Sequence, residues 1–225
     1  MTIKPVSRTA LASIPESGAK ICGIRTKDDY IHCADEGAAF IGMVFFEKSP
    51  RHLSWDEAAA LAEIARADGP VRVALTVDAD DAYLDQIFDI AKPDMFQLHG
   101  HETPQRAKQI RDKYNLPVMK ALRVQSAADV KAADDYLDAV DWLLFDAFSA
   151  NPDLPGGTGH SFDWQLVADL SLSIPWMLAG GLTPETLAPA RAQTGARYFD
   201  VSSAVEEQKG VKNHEKISAF IKAAC

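Results

Sequence analysis

The side chains in this sequence that could do chemistry recur at one kind of place, just past the end of a short apolar run. Cys22 ends the run Ala19-Lys20-Ile21-Cys22 and is followed by Gly23. Arg51 ends the loop Lys48-Ser49-Pro50-Arg51 beyond a second run, and His99 and Gly100 follow Gln97-Leu98. Asp146 closes Trp142-Leu143-Leu144-Phe145, the pair Gly180-Gly181 follows a seventh run, and Asp200, Ser202 and Ser203 end an eighth. A thiol that can lose its proton is a base or a nucleophile. A carboxyl group on a mostly apolar rim suits a general acid, and a guanidinium suits bidentate capture of a carboxylate. Two adjacent small-residue turns let backbone amides close on a phosphate. The set reads as acid–base chemistry on an anionic sugar, with Cys22 as catalytic base.

Each residue also has a plainer reading. Cys22 could be a buried structural cysteine, since a free thiol behaves as a small hydrophobe. Arg51 alone reads more readily as a solvated surface arginine. Asp146 could cap a helix, although no helical pattern starts directly after it, and Asp200 competes for the acid role or could hold sugar hydroxyls. His99 could orient a substrate or be a satisfied structural hydrogen-bonder. Lys20 and Lys120 lie within strands and raise the possibility of a Schiff base. Lys20 sits on the same strand face as Cys22 and is better placed to balance an acid or favour the thiolate. His99 and His101 lack matching carboxylates, so no metal is expected. Glu206-Glu207 and Asp134-Asp135 read as solvated charge.

Positioning these residues requires a regular alternation of elements. Strands are expected at 18–22, 40–46, 71–77, 95–98, 118–122, 142–145, 176–179 and 198–201. Helices are expected at 27–36, 54–67, 80–90, 103–114, 126–136, 163–170, 183–191 and 214–224, with a Gly/Pro-rich loop over 147–161. Ser54-Trp55-Asp56-Glu57 has the form of a capping box, and Pro104 after Thr103 suits a first helical turn. Eight strand–helix units at spacings of roughly 20–35 residues, with no hairpin signal such as Asn-Gly, predict a single-domain α/β fold, the (β/α)₈ TIM barrel. Reactive residues then gather on the rim at the strand C-termini. Residues 1–17 are expected to be an N-terminal lead-in, and 18–225 the barrel.

With 225 residues, 47% hydrophobic and 24% charged, the chain has the composition of an ordinary globular protein. A net charge of −9 argues against a nucleic-acid or anionic-membrane partner. No run approaches a membrane span, and the first residues lack the apolar core of a secretory signal. Three cysteines without zinc-like spacing fit reduced thiols in a cytoplasm. A small-molecule phosphosugar is the expected partner, the cofactor expectation is none, and a monomer is expected.

The runs KICGI (20–24), GMVFFEKSPRHLS (42–54), QLHG (97–100), LLFDA (143–147), GGTGHSFDW (156–164), AGGLTPE (179–185) and DVSSAVE (200–206) resemble the phosphoribosylanthranilate isomerase family. The likeness extends from Lys20 to near Ile221, in the family's order. It implies a (β/α)₈ barrel that performs an Amadori rearrangement of N-(5-phosphoribosyl)anthranilate in tryptophan synthesis, without a cofactor. It also implies that Cys22 is the general base, Asp146 the general acid and Arg51 the partner of the anthranilate carboxylate. AGGL and DVSS would grip the phosphate, and His99 would lie near the substrate. Ala204 stands where the family usually has glycine, and Asn213 replaces a common aspartate. Rivals are an inactive phospholigand-binding barrel, indole-glycerol-phosphate synthase, and the histidine-pathway aminoaldose isomerase. The last would need a second Gly-rich grip after strand three, where Thr76-Val77-Asp78-Ala79 has none.

Overall fold

A computed structural model describes residues 14–64, 69–147, 164–168 and 170–225. Eight strands close into a barrel in chain order. They are β1 (Gly18–Cys22), β2 (Phe40–Phe45), β3 (Val71–Thr76), β4 (Met95–Leu98), β5 (Val118–Val124), β6 (Trp142–Ala147), β7 (Trp176–Leu178) and β8 (Tyr198–Val201). All neighbours are parallel, and β8 closes on β1 with Lys20 opposite Asp200. The connecting helices are α1 (Lys27–Asp35), α2 (Trp55–Ala62), α3 (Asp81–Ala91), α4 (Pro104–Tyr114), α5 (Ala127–Lys131), α6 (Pro184–Thr194) and α7 (His214–Ala224).

The helices begin where the sequence supplies caps. Ser54 and Glu57 form the expected capping box at α2, and Thr103 caps α4 ahead of Pro104. Such a cap contributes about 1 kcal/mol. Asn213, the departure from the family pattern, caps α7 by accepting from the Lys216 amide. The last helix is tied to the first by His32 and His214, whose rings stack at 4.1 Å.

Strand alternation divides the core in two. Ile21, Ile41, Met43, Phe96, Leu143, Phe145 and Phe199 face the helices and share one cluster with Leu84, Ile87, Ile110, Leu187 and Ile217. Phe40, Val73, Met95, Met119, Trp142, Leu144 and Met177 fill the barrel itself. Its N-terminal end is plugged by Phe40, Trp142 and Tyr198, with edge-to-face ring centroids 4.8–5.9 Å apart. Ile14 packs on this plug, and the Tyr198 hydroxyl donates to the Pro15 carbonyl at 2.6 Å. The base is therefore closed by aromatic surface, and polar inward-facing residues are confined to the opposite mouth.

Several expectations need correction. The expected helix at 126–136 is one short α-turn, α5, followed by a 3₁₀ helix over Ala132–Tyr136. Only Ala133 in that 3₁₀ stretch is buried, so little packing holds a regular helix there. α6 runs past Arg191 to Thr194 and stops at Gly195, whose φ of 69° ends it in the left-handed region. A hairpin was not expected, yet β9 (Glu206–Gln208) and β10 (Val211–Lys212) pair antiparallel after β8. Its turn is Lys209-Gly210, with Gly210 at φ 82°, a weaker cue than Asn-Gly. The helix expected over 54–67 stops at Ala62, with Glu63 as its C-cap, and β6 continues past the expected end at Phe145 to Ala147. Residues 1–13, 65–68, 148–161 and most of GGTGHSFDW lie outside the described residues. Of the helix expected over 163–170, a 3₁₀ helix at Trp164–Val167 is described. Among the described residues no helix is long and apolar enough to cross a membrane.

β1 and β2 approach each other closely at the mouth because Gly42 has no side chain. A methyl group there would lie 2.8 Å from Cys22 Sγ, 3.0 Å from Cys22 Cα and 3.1 Å from Lys20 Nζ. Gly42→Ala is expected to cost about 1–3 kcal/mol through overpacking, measured as a lower urea midpoint at unchanged slope. An unshifted midpoint would show that β1 yields freely there.

Candidate active site

All nine residues singled out in the sequence line one cleft at the C-terminal mouth. Cys22, Arg51, His99, Asp146, Gly180, Gly181, Asp200, Ser202 and Ser203 contribute to its wall. Period-two alternation explains the convergence: Lys20 and Cys22, Gln97 and His99, and Leu144 and Asp146 each share a strand face. Val44, Phe46, Leu75 and Val77 supply an apolar side. Cys22 and Asp146 are both buried, at 6% and 4% exposure, so thiol and carboxyl open into the cleft and not into bulk water.

Lys20 is wholly buried and donates to Asp200 Oδ1 at 2.8 Å. Burial alone would lower its pKa, but the Asp200 carboxylate and Cys22 outweigh that and raise it, so the ammonium stays charged. The same burial pushes the Cys22 thiol above its ordinary value, with Lys20 and Lys212 pulling the other way. Lys20 therefore favours the thiolate, as the sequence suggested, without overcoming desolvation. Its charge is committed to Asp200, which accounts for the acid-balancing role expected of it.

Asp146, next to last in β6, has His99 Nε2 at 3.4 Å from its Oδ2, too long for a good hydrogen bond. The Gln97 side-chain amide lies 3.1 Å from His99 Nδ1. An amide N–H donating there leaves the ring proton on Nε2, which is buried and has no hydrogen-bond partner among the described residues. His99 thus presents an unused donor beside the Asp146 carboxyl.

The opposite wall is made of backbone turns and hydroxyls. Gly180 and Gly181 take φ of 94° and 65°, which turns the backbone after β7 tightly into the cleft. After β8 a single 3₁₀ turn, Ser203–Val205, follows Ser202. Its first amides have no carbonyl within the turn to bond. Ser202 Oγ donates to the Cys22 carbonyl at 3.1 Å, which ties this turn to β1. Among the described residues no group of three or more His, Cys, Asp and Glu side chains is arranged to hold a metal ion.

Two readings at the rim are overturned. Arg51 is not a solvated surface arginine; its side chain is 11% exposed and its Nε and Nη2 donate to Glu206 at 2.6 and 2.8 Å. Glu206 is not solvated charge. It is buried in the new hairpin and also accepts from Lys212 Nζ at 3.0 Å, while its neighbour Glu207 is exposed. Burial would raise the Glu206 carboxyl, but Arg51 and Lys212 hold it below the usual carboxylate range. The available signal was that adjacent residues of a strand face opposite ways, so one of the two glutamates had to point inward.

The sequence profile of the family described as N-(5'phosphoribosyl)anthranilate (PRA) isomerase matches residues 19–223. This chain belongs to that family. An isomerase of that name from Paramagnetospirillum magneticum is 50% identical over 206 residues, spanning 91% of this chain and 95% of the relative. Another, from Rhodospirillum rubrum, is 47% identical over 212 residues, spanning 92% and 97%. Among solved structures, phosphoribosyl anthranilate isomerase from Thermotoga maritima superposes with a TM-score of 0.82 at 29% identity, covering 92% of this chain and 98% of that one. A family structure holding reduced 1-(o-carboxyphenylamino)-1-deoxyribulose 5-phosphate superposes with a TM-score of 0.78 at 28% identity, with the same coverage. The family match thus begins at β1, where residue 20 starts the cysteine motif, and ends within α7.

Burial favours the neutral thiol, so Cys22 should lose its proton only above the ordinary thiol value of about 8.5. In a Cys33→Ser/Cys225→Ser background, thiolate absorbance should rise with a midpoint above that value. Lys20→Met should move the midpoint further up. A midpoint below the ordinary value would show that the lysines outweigh burial.

Proposed function

We propose that this chain, an isomerase of tryptophan biosynthesis, carries out the Amadori rearrangement with Cys22 as general base and Asp146 as general acid. The substrate is N-(5-phosphoribosyl)anthranilate and the product 1-(2-carboxyphenylamino)-1-deoxyribulose 5-phosphate. The observation that carries this assignment of roles is that thiol and carboxyl, both buried, line one cleft. Asp146 gives its proton to the furanose ring oxygen as the C1′–O bond breaks, and the anilino nitrogen takes up the positive charge as an iminium. That cation acidifies the C2′ proton, which the Cys22 thiolate removes. The resulting enolamine gains a proton at C1′ and loses one from its hydroxyl, which gives the aminoketose. The iminium is itself the electron sink, so the step needs no cofactor.

A buried thiol is a poor base at rest, and the intermediate supplies what is missing. Its positive charge forms beside the thiol, where charges act more strongly than in water, and it favours loss of the Cys22 proton to solvent at the open end of the cleft, which leaves the thiolate free to take the C2′ proton. Arg51 would receive the ring carboxylate. Gly180, Gly181, Ser202 and Ser203 would hold the phosphate with backbone amides and hydroxyls. Asp200, fixed by Lys20, would meet sugar hydroxyls, and the unused His99 Nε2–H faces the same space. A protein of net charge −9 must hold such an anion by local donors and not by its overall field.

The end of β3 argues against the twice-phosphorylated substrate of the histidine pathway. Asp78 stands there with a carboxylate engaged by the His101 amide, where a second phosphate grip would need glycine and a donor. Only Ile31 and Val211 are large exposed apolar side chains among the described residues, which supports a monomer. Three unpaired cysteines support a reducing, cytoplasmic setting. Residues 1–17 we read as a lead-in whose last part covers the barrel base.

Added protein should speed the loss of anthranilate fluorescence from freshly made phosphoribosylanthranilate; an unchanged rate would mark an inactive phospholigand barrel. Cys22→Ala and Asp146→Asn should each lower kcat at least ~10²-fold with the fold intact. Near-normal turnover in either would remove that residue from the chemistry. Arg51→Ala should act mainly on KM, and an unchanged KM would detach Arg51 from the substrate.

A further inference from the structure

Arg51 meets the cleft with only part of its donor set. Its Nε–Nη2 edge is taken by the two oxygens of Glu206, in the paired geometry that fixes the plane of a guanidinium. Among the described residues Nη1 has no hydrogen-bond partner, so the Nη1–Nη2 edge can meet a ligand. Glu206 in turn is seated from behind. Its Oε1 accepts from Lys212 Nζ at 3.0 Å and its Oε2 from the Gly210 amide at 3.2 Å. The Lys216 ammonium also donates to the Glu206 backbone carbonyl at 2.7 Å.

The connections continue to the other side of the cleft. Lys212 Nζ donates to the Ser202 carbonyl at 3.0 Å, and Ser202 Oγ donates to the Cys22 carbonyl at 3.1 Å. The hairpin also presses on the arginine loop directly. At φ 82° Gly210 lies so close to Pro50 that a methyl group would stand 2.7 Å from its carbonyl oxygen. Two basic side chains, Arg51 and Lys212, face one carboxylate here, with burial drawing the Lys212 pKa below its ordinary value, so a further carboxylate on the Arg51 side meets a complementary charge. A surface stabiliser would not need that arrangement, since solvent-exposed ion pairs contribute little.

We propose that Glu206, held by Lys212, is a positioning residue that sets the plane of Arg51 for the substrate's ring carboxylate. Through Lys212 and Ser202, the same carboxylate ties that grip to the turn on the phosphate side. This rests on the reading of Arg51 as the carboxylate partner. Glu206 itself touches no reacting atom; it acts through the guanidinium.

The test is a double-mutant cycle on KM and kcat with Arg51→Ala, Glu206→Gln and the pair, using phosphoribosylanthranilate as the probe. Glu206→Gln is isosteric, but its amide turns an N–H toward an arginine donor, so one arm of the clamp is lost even if the hairpin folds normally. KM should rise at least ~10-fold in each single variant with kcat changed far less, and the double variant should be no worse than Arg51→Ala alone. Circular dichroism and melting of each variant check the fold, and Glu206→Asp supplies a second variant if the glutamine form is unstable. An unchanged KM in Arg51→Ala would defeat the carboxylate reading, and this inference with it. A raised KM in Arg51→Ala would uphold that reading. The inference alone would then fail if Glu206→Gln left KM unchanged, lowered kcat instead, or multiplied KM by the same factor with Arg51 already removed.

Discussion

Lys20 and Asp200 meet at 2.8 Å across the joint where β8 closes on β1, with the ammonium wholly buried. Taking two charges out of water costs several kcal/mol per ion, and the cost is recovered only when geometry and further bonds are right. A slip of one residue in the β1–β8 register would turn each side chain of one strand to the opposite face. It would leave the buried Lys20 ammonium without its carboxylate. The pair therefore makes the closing register costly to change, and Cys22, Ser202 and the turn that follows are placed relative to it. The placing of the cleft residues and the closing of the barrel are in this sense one constraint.

From that joint the mouth divides by charge. One side is apolar and holds a thiol in its neutral form, beside a carboxyl with a histidine donor at its edge. The other side gathers backbone turns, hydroxyls and the Arg51–Glu206–Lys212 cluster. A protein acidic overall thus gathers positive charge at one side of its mouth, and the buried Lys20 and Lys212 each have a carboxylate or a carbonyl to answer them. A resting thiol also has an advantage over a resting thiolate, because a protonated sulfur is a poor target for oxidants and electrophiles.

Much of this was legible before any coordinates. The strands were readable because parallel barrel strands, covered on both faces, appear as short continuous apolar runs. The nine cleft residues were readable because the fold sends strand C-termini to one rim. What escaped had physical reasons. The 3₁₀ stretch after α5 depends on tertiary packing that propensity does not report. The hairpin after β8 rests on a Lys-Gly turn and on a contact with Pro50, which lies far away in sequence. Glu206 was misread because two adjacent glutamates resemble solvent-facing charge, and only the pairing with Arg51, across 155 positions, shows which one turns inward. That distinction depends on a contact that composition and periodicity do not record.

The partners that close the barrel lie 180 positions apart. During synthesis β1 emerges early and β8 late, so β1 carries an open hydrogen-bonding edge for most of the time the chain is being made. Parallel sheets with such distant pairings form slowly, and open edges can recruit strands from other molecules. The interval ends only when residues 198–201 and the α7 that packs on β1 are both available. Until residues 198–224, about the last eighth of the chain, are in place, the sheet therefore keeps an edge that another strand could join.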